Sequence, residues 1–150
     1  MGSEMCIRDR FGSVVKEALR IGAIDEAASS LAAAVSKAQL IVLSIPLGLM
    51  EHMLHAIAPH VRPDTLVTDV GSVKQGIITA AEEILPDTVS FVGGHPMTGA
   101  EQGGLQHADA FLFENATYVL CGQEQRVAYR TIAALIESTG ARIISAAIVR

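Results

Sequence analysis

The chain is short of charge and of cysteine, and it lacks both basic clusters and long apolar runs. Each shortage excludes something. Only 18% of its 150 residues are charged, against about 25% in an average globular chain, which argues against disorder. The 16 acidic residues outnumber the 11 Lys and Arg, for a net charge of −5. With no basic patch, nucleic acid and anionic membrane surfaces are not expected as partners. No apolar run approaches the roughly 20 residues of a membrane span, and the start has no signal-peptide apolar region. Cys6 and Cys121 are the only cysteines, too few for a disulfide framework. Cys121 ends a strand-like apolar run, so a buried thiol in a reducing cytoplasm is expected.

What is present is apolar and periodic. Half the residues are hydrophobic, and a chain of this length suits a single domain that buries roughly 70% of its unfolded surface. Leu40 to Ile45 is an unbroken apolar run stopped by Pro46, the mark of a strand covered on both faces. Thr65–Val70, Val89–Val92, Thr117–Cys121 and Arg142–Ser145 read as further strands. Between them, helical faces run through Leu47, Met50, Leu54, Ile57, Ala58 and Val61, through Val73, Ile77, Ala80, Ala81 and Ile84, and through Ala128, Ile132, Leu135 and Ile136. Strands alternating with helices predict an α/β fold with a doubly wound parallel sheet and every strand-to-helix loop on one edge. Residues 1–10 are set apart as a non-native leader: Met1-Gly2-Ser3 resembles an expression start, and Met5-Cys6-Ile7-Arg8-Asp9-Arg10 resembles adapter read-through. Residues 11–150 then begin in mid-fold, and the strand from Leu40 is expected to present an unpaired edge.

Two blocks carry the chemistry. Asp69-Val70-Gly71-Ser72-Val73-Lys74 and Gly93-Gly94-His95-Pro96-Met97-Thr98-Gly99-Ala100-Glu101 each follow a β-branched run, and so read as loops at the ligand-binding edge of an open sheet. Ser72 is either a cap on the helix that follows or a hydroxyl facing a ligand. Lys74 either serves an anionic ligand or is solvated. His95, between paired glycines and a proline, is either a general base for a hydroxyl or a histidine satisfying a buried turn. Glu101 either binds a polar substrate group or faces solvent. His52, His55 and His60 beside Glu51 read as a solvated helix face, not metal ligands. No G-x-S-x-G elbow, P-loop or G-x-G-x-x-G occurs.

These blocks resemble the prephenate/arogenate dehydrogenases of tyrosine biosynthesis. The resemblance is carried by Asp69-Val-Gly-Ser-Val-Lys74, Gly94-His-Pro-Met-Thr-Gly-Ala-Glu101 and Leu112-Phe113-Glu114-Asn115-Ala116, with support from Gly22-Ala-Ile-Asp-Glu26 and Ile41-Val-Leu-Ser-Ile-Pro46. It implies a Rossmann-like domain truncated at its N-terminal βαβ unit, in a longer chain whose helical C-terminal domain dimerises. It implies His95 and Ser72 as catalytic residues, Glu101 and Gly99 in the substrate pocket, and cofactor contacts from Ser44, Ile45, Pro46, Gly71 and Ser72. The cofactor is NAD or NADP, and the implied reaction is oxidative decarboxylation of prephenate to 4-hydroxyphenylpyruvate. The Cys121-Gly-Gln-Glu124 segment departs from the Thr-Pro-Thr-Glu usual in the family. Alternatives of other kinds remain: an arogenate dehydrogenase, another Rossmann hydroxyacid dehydrogenase, or an inert nucleotide-binding or interaction domain.

Overall fold

The structure, a computed structural model, describes residues 5–7, 12–99 and 104–147. Five strands form the main sheet in the order β3 (Leu40–Leu43), β4 (Leu66–Asp69), β5 (Ser90–Pro96), β6 (Thr117–Cys121) and β7 (Arg142–Ala146). Ahead of them, β1 (Cys6–Ile7), α1 (Gly12–Arg20) and β2 (Glu26–Ala27) make a separate two-stranded parallel ribbon, and α2 (Leu31–Val35) leads into the sheet. Strand β1 falls within the segment set apart as a leader, and β2 has no period-2 apolar signal in the sequence. Helices α3 (Met50–Ile57), α4 (Gln75–Ile84) and α5 (Val127–Glu137) follow β3, β4 and β6.

The helices form where the apolar period demanded them. Met50, Leu54 and Ile57 of α3 are buried, as are Ile77, Ile78 and Ala81 of α4. All of these except Ile78 pack with Leu43 and Val67 on one face of the sheet. Ala128, Tyr129, Ile132 and Ile136 of α5 pack on the other face with Val92, Tyr118 and Leu120. Neighbouring strand residues alternate between the two layers: Val67 lies under α3 and α4, while Leu66 packs against the α5 cluster, as a period of two requires. The sheet is therefore covered on both sides, and the expected α/β, doubly wound architecture is what the chain adopts.

Two features depart from the sequence reading. Strands β3, β4 and β5 are parallel and so are β6 and β7, but β6 runs antiparallel to β5. A parallel return needs a crossover, usually a helix. Between β5 and β6 the described residues hold only a single 3-10 turn, Leu105–His107, so the chain doubles back. The loop from β6 to α5 consequently lies on the opposite rim from the loops after β3 and β4, not on one common edge. Second, β5 does not end at Val92 but continues through Gly93, Gly94, His95 and Pro96, paired with β6 residue by residue. At the far side of the sheet β3 pairs only with β4 among the described residues, and Val42 is 52% exposed, which is the open edge expected for the Leu40 strand.

Candidate active site

The site is built on Asp69, the last residue of β4, whose side chain is fully buried. A carboxylate in that position needs partners, because a buried unpaired charge is expensive. It has three. The amide of Gly94 donates to Oδ1 at 3.1 Å, and the amide of Gly71 donates to Oδ2 at 2.9 Å. The Lys74 ammonium forms an ion pair with Oδ2 and donates to the Gly94 carbonyl at 2.7 Å. Lys74 therefore neither reaches for an anionic ligand nor lies in solvent: its side chain is 13% exposed and bound to the interior.

This arrangement fixes where the two sequence blocks go. Ser72 follows an amide held by Asp69, and His95 follows another, so both leave the same rim of the sheet. Ser72 is exposed and His95 half-buried. Ser72 does not cap α4: the N-cap is Lys74, with no side-chain cap bond, and the helix starts only at Gln75. The capping reading is thereby removed, and the hydroxyl is left facing outward. The glycines around His95 serve close approach, not an unusual backbone path. A Cβ on Gly94 would stand 2.4 Å from the Asp69 carbonyl oxygen and 3.0 Å from the Tyr118 hydroxyl, whereas its backbone is ordinary strand.

The residues expected to touch a cofactor lie on this rim one strand away. Ser44, Ile45 and Pro46 follow β3, which the Val70 amide joins by donating to the Leu43 carbonyl at 3.3 Å. Ser44 and Pro46 are exposed and Ile45 is half-buried. A Cβ on Gly71 would meet Leu47 at 2.6 Å, so this turn packs directly on the segment after Pro46. Beside it a groove of about 410 Å³ is walled by Leu47, Met50, Val73 and Ile77. Gly99 is exposed, with a φ of +139° that suits only glycine; Glu101 lies outside the described residues.

Tyr118 packs against Gly94 from the α5 side of the sheet. It stands opposite Pro96 on β6, and burial, with the charge of Asp69 adding to it, pushes its phenol up to about 12. It therefore stays protonated. Cys121, at the other end of β6 opposite Gly93, is buried, and burial pushes its thiol up, which suits packing and not nucleophilic chemistry. Among the described residues no group of three or more His, Cys, Asp or Glu is placed to hold a metal, and no helix is long and apolar enough to cross a membrane. Asp69 and Tyr118 are the residues that the sequence reading left without a role. The available signal was a carboxylate ending an apolar strand, which demands a partner, with Lys74 as the next cation along the chain.

Comparison with known proteins identifies the family and the fold. Residues 2–145 match the family described as the prephenate dehydrogenase nucleotide-binding domain. The prephenate dehydrogenase of Bacillus subtilis is 37% identical over 133 residues, which is 85% of this chain and 35% of that protein. The crystal structure of Synechocystis arogenate dehydrogenase aligns with a TM-score of 0.83 and 30% identity, covering 95% of this chain and 50% of that one. Prephenate dehydrogenase from Aquifex aeolicus aligns with a TM-score of 0.88 and 25% identity, covering 97% of this chain and 53% of that one. The Aquifex enzyme has also been solved in complex with hydroxyphenyl propionate and NAD+. The chain thus spans about half of these solved chains, and less of the Bacillus protein.

Proposed function

This chain belongs to the prephenate dehydrogenase family through its nucleotide-binding domain, and from that premise we propose that it serves the NAD(P)-dependent oxidative decarboxylation of prephenate to 4-hydroxyphenylpyruvate as part of a longer, dimeric enzyme. The supporting observation is that Ser72 and His95 emerge next to amides held by one carboxylate, which lets both side chains act on one small ring.

Residues 71–73 and the segment after Pro46 fit a dinucleotide. Ser44 and Ser72 are exposed and lie in the chain just ahead of Leu47 and Val73, which wall the groove, a surface that suits a flat ring with polar edges. When bound, the nicotinamide supplies the hydride acceptor. His95 accepts the proton of the substrate's ring hydroxyl as that carbon is oxidised to the carbonyl level. The ring carboxylate then leaves as carbon dioxide, its bonding electrons complete the aromatic ring, and the new phenol oxygen takes a proton back. Ser72 holds the hydroxyl toward His95, a contribution of position.

The test is turnover by the full-length enzyme carrying this segment, with prephenate and arogenate offered alongside NAD and NADP. His95→Asn is expected to lower kcat by about two to four decades, the worth of a positioned general base. Near-wild-type turnover by that variant removes His95 from the role. Likeness to the Synechocystis enzyme favours a second reading, arogenate as the substrate, and the same assay separates the two.

A further inference from the structure

Backbone pairing between β4 and β5 ends at Thr68–Val92. Beyond that point the two strands are joined by a side chain. Asp69 Oδ1 accepts from the Gly94 amide and Oδ2 from the Gly71 amide, so a single carboxylate ties the turn before Ser72 to the strand end before His95. Lys74 closes the figure from the other side: it pairs with Asp69 and donates to the carbonyl of Gly94. That carbonyl belongs to the peptide bond leading into His95. No side chain intervenes at Gly94, where the Asp69 backbone and Tyr118 leave no room for a Cβ. Thr68 adds a second tie, donating to the Val92 carbonyl at 2.7 Å.

We infer that Asp69, with Lys74, is a positioning residue for the dehydrogenase reaction, setting the spacing between the Ser72 hydroxyl and the His95 imidazole. The inference rests on the functional reading given above and extends it to a residue that touches neither substrate nor cofactor. The physical reason is rigidity. A charge-assisted bond to a buried carboxylate is stronger than a neutral amide bond, and the two oxygens are engaged by amides of different segments, the turn after β4 and the end of β5. Neither segment can shift without breaking a bond to a charge in the interior. A fully aliphatic anchor could fill the volume but could not hold two amides at once. An asparagine fills it too, yet turns an N–H toward the amide of Gly71 or of Gly94, or toward the Lys74 ammonium.

The experiment uses the full-length protein that carries this segment. Asp69→Asn is expected to lower kcat about 10²-fold, the size of effect produced by an ångström of misplacement, while KM for substrate and dinucleotide stays within about threefold. In the same variant the Gly71 and Gly94 amides are expected to lose protection from hydrogen exchange, while the Val67 amide in mid-strand keeps its own. A carboxylate with a purely structural role loosens the whole strand and leaves kcat alone, so a folded Asp69→Asn enzyme with unchanged kcat overturns the proposal. Should that variant not fold, wild-type protein decides: Gly71 and Gly94 amides protected like Val67 uphold the anchor, and exchange as fast as at the exposed Gly48 overturns it. If the wild type oxidises neither prephenate nor arogenate, the functional reading fails on its own, while the exchange data still report whether one carboxylate holds both loops.

Discussion

At the scale of single residues, the charge that organises this rim is buried and the groups that reach outward are neutral or exposed. Asp69 is fully buried and satisfied by two amides and an ammonium, and its field acts on its neighbour Tyr118. That phenol is pushed up to about 12, first by burial and then by the Asp69 charge. In the unfolded chain a tyrosine ionises near 10, so between about 10 and about 12 the folded form holds a proton that the unfolded form has lost. Stability from this group is therefore complete below pH 10 and is lost as the pH rises through 12. Urea unfolding of a Tyr129→Phe background, which leaves Tyr118 as the sole tyrosine, is expected to show a steep alkaline loss over that window, and adding Tyr118→Phe is expected to flatten it. Equal alkaline slopes with and without Tyr118 exclude the shift.

At the scale of elements, the sequence was most legible where burial repeats and least legible where the chain changes direction. The stripes Met50-Leu54-Ile57 and Ala128-Ile132-Ile136 mark α3 and α5 directly, because a helix between sheet and solvent must carry such a face. The end of β5 was hidden: Gly93 and Gly94 read as loop residues, yet their lack of a side chain is what lets a strand pass between Ile78, Asp69 and Tyr118. The reversal at β6 was hidden for another reason. Antiparallel and parallel strands carry the same apolar pattern when both faces are covered, and only the connection distinguishes them. That Ser72 and His95 leave one rim was legible from the strand ends they follow, whereas the place of Lys74 depended on a partner that no local pattern reveals. The open edge of β3 follows from the same strand logic and carries its own prediction. Val42 is 52% exposed on a strand paired on one side only, and such edges recruit further strands. Val42→Lys is expected to reduce concentration-dependent light scattering by the 150-residue chain while changing its stability by less than about 0.5 kcal/mol. Scattering that is indifferent to this substitution places self-association on another surface.

At the scale of the whole molecule, the two functions of a dehydrogenase domain come apart. The rim proposed to orient a hydroxyl is assembled within β4, β5 and the segments that leave them, and its Asp69 anchor is internal to that unit. Holding a dinucleotide is a different task. Most of the grip comes from a glycine-rich turn that lets a helix amino terminus approach the pyrophosphate, and the sequence contains no G-x-G-x-x-G. In the structure, β1 and β2 form their own ribbon and are not hydrogen-bonded to β3, so no strand-to-helix turn sits beside β3 on that flank among the described residues. The contacts proposed for a dinucleotide among the described residues are those of Ser44, Ile45, Pro46, Gly71 and Ser72, and the Gly71 amide is already committed to Asp69. Without the phosphate contacts of a glycine-rich turn, the nicotinamide end alone does not offset the cost of ordering a long, charged ligand. Calorimetric titration of the 150-residue chain with NAD is therefore expected to give a Kd above about 1 mM, equivalent to less than about 4 kcal/mol of binding, while the full-length enzyme binds far more tightly. Micromolar binding by the chain alone means that the rim after β3 and β4 grips the dinucleotide by itself, and that positioning and cofactor binding are one function here instead of two.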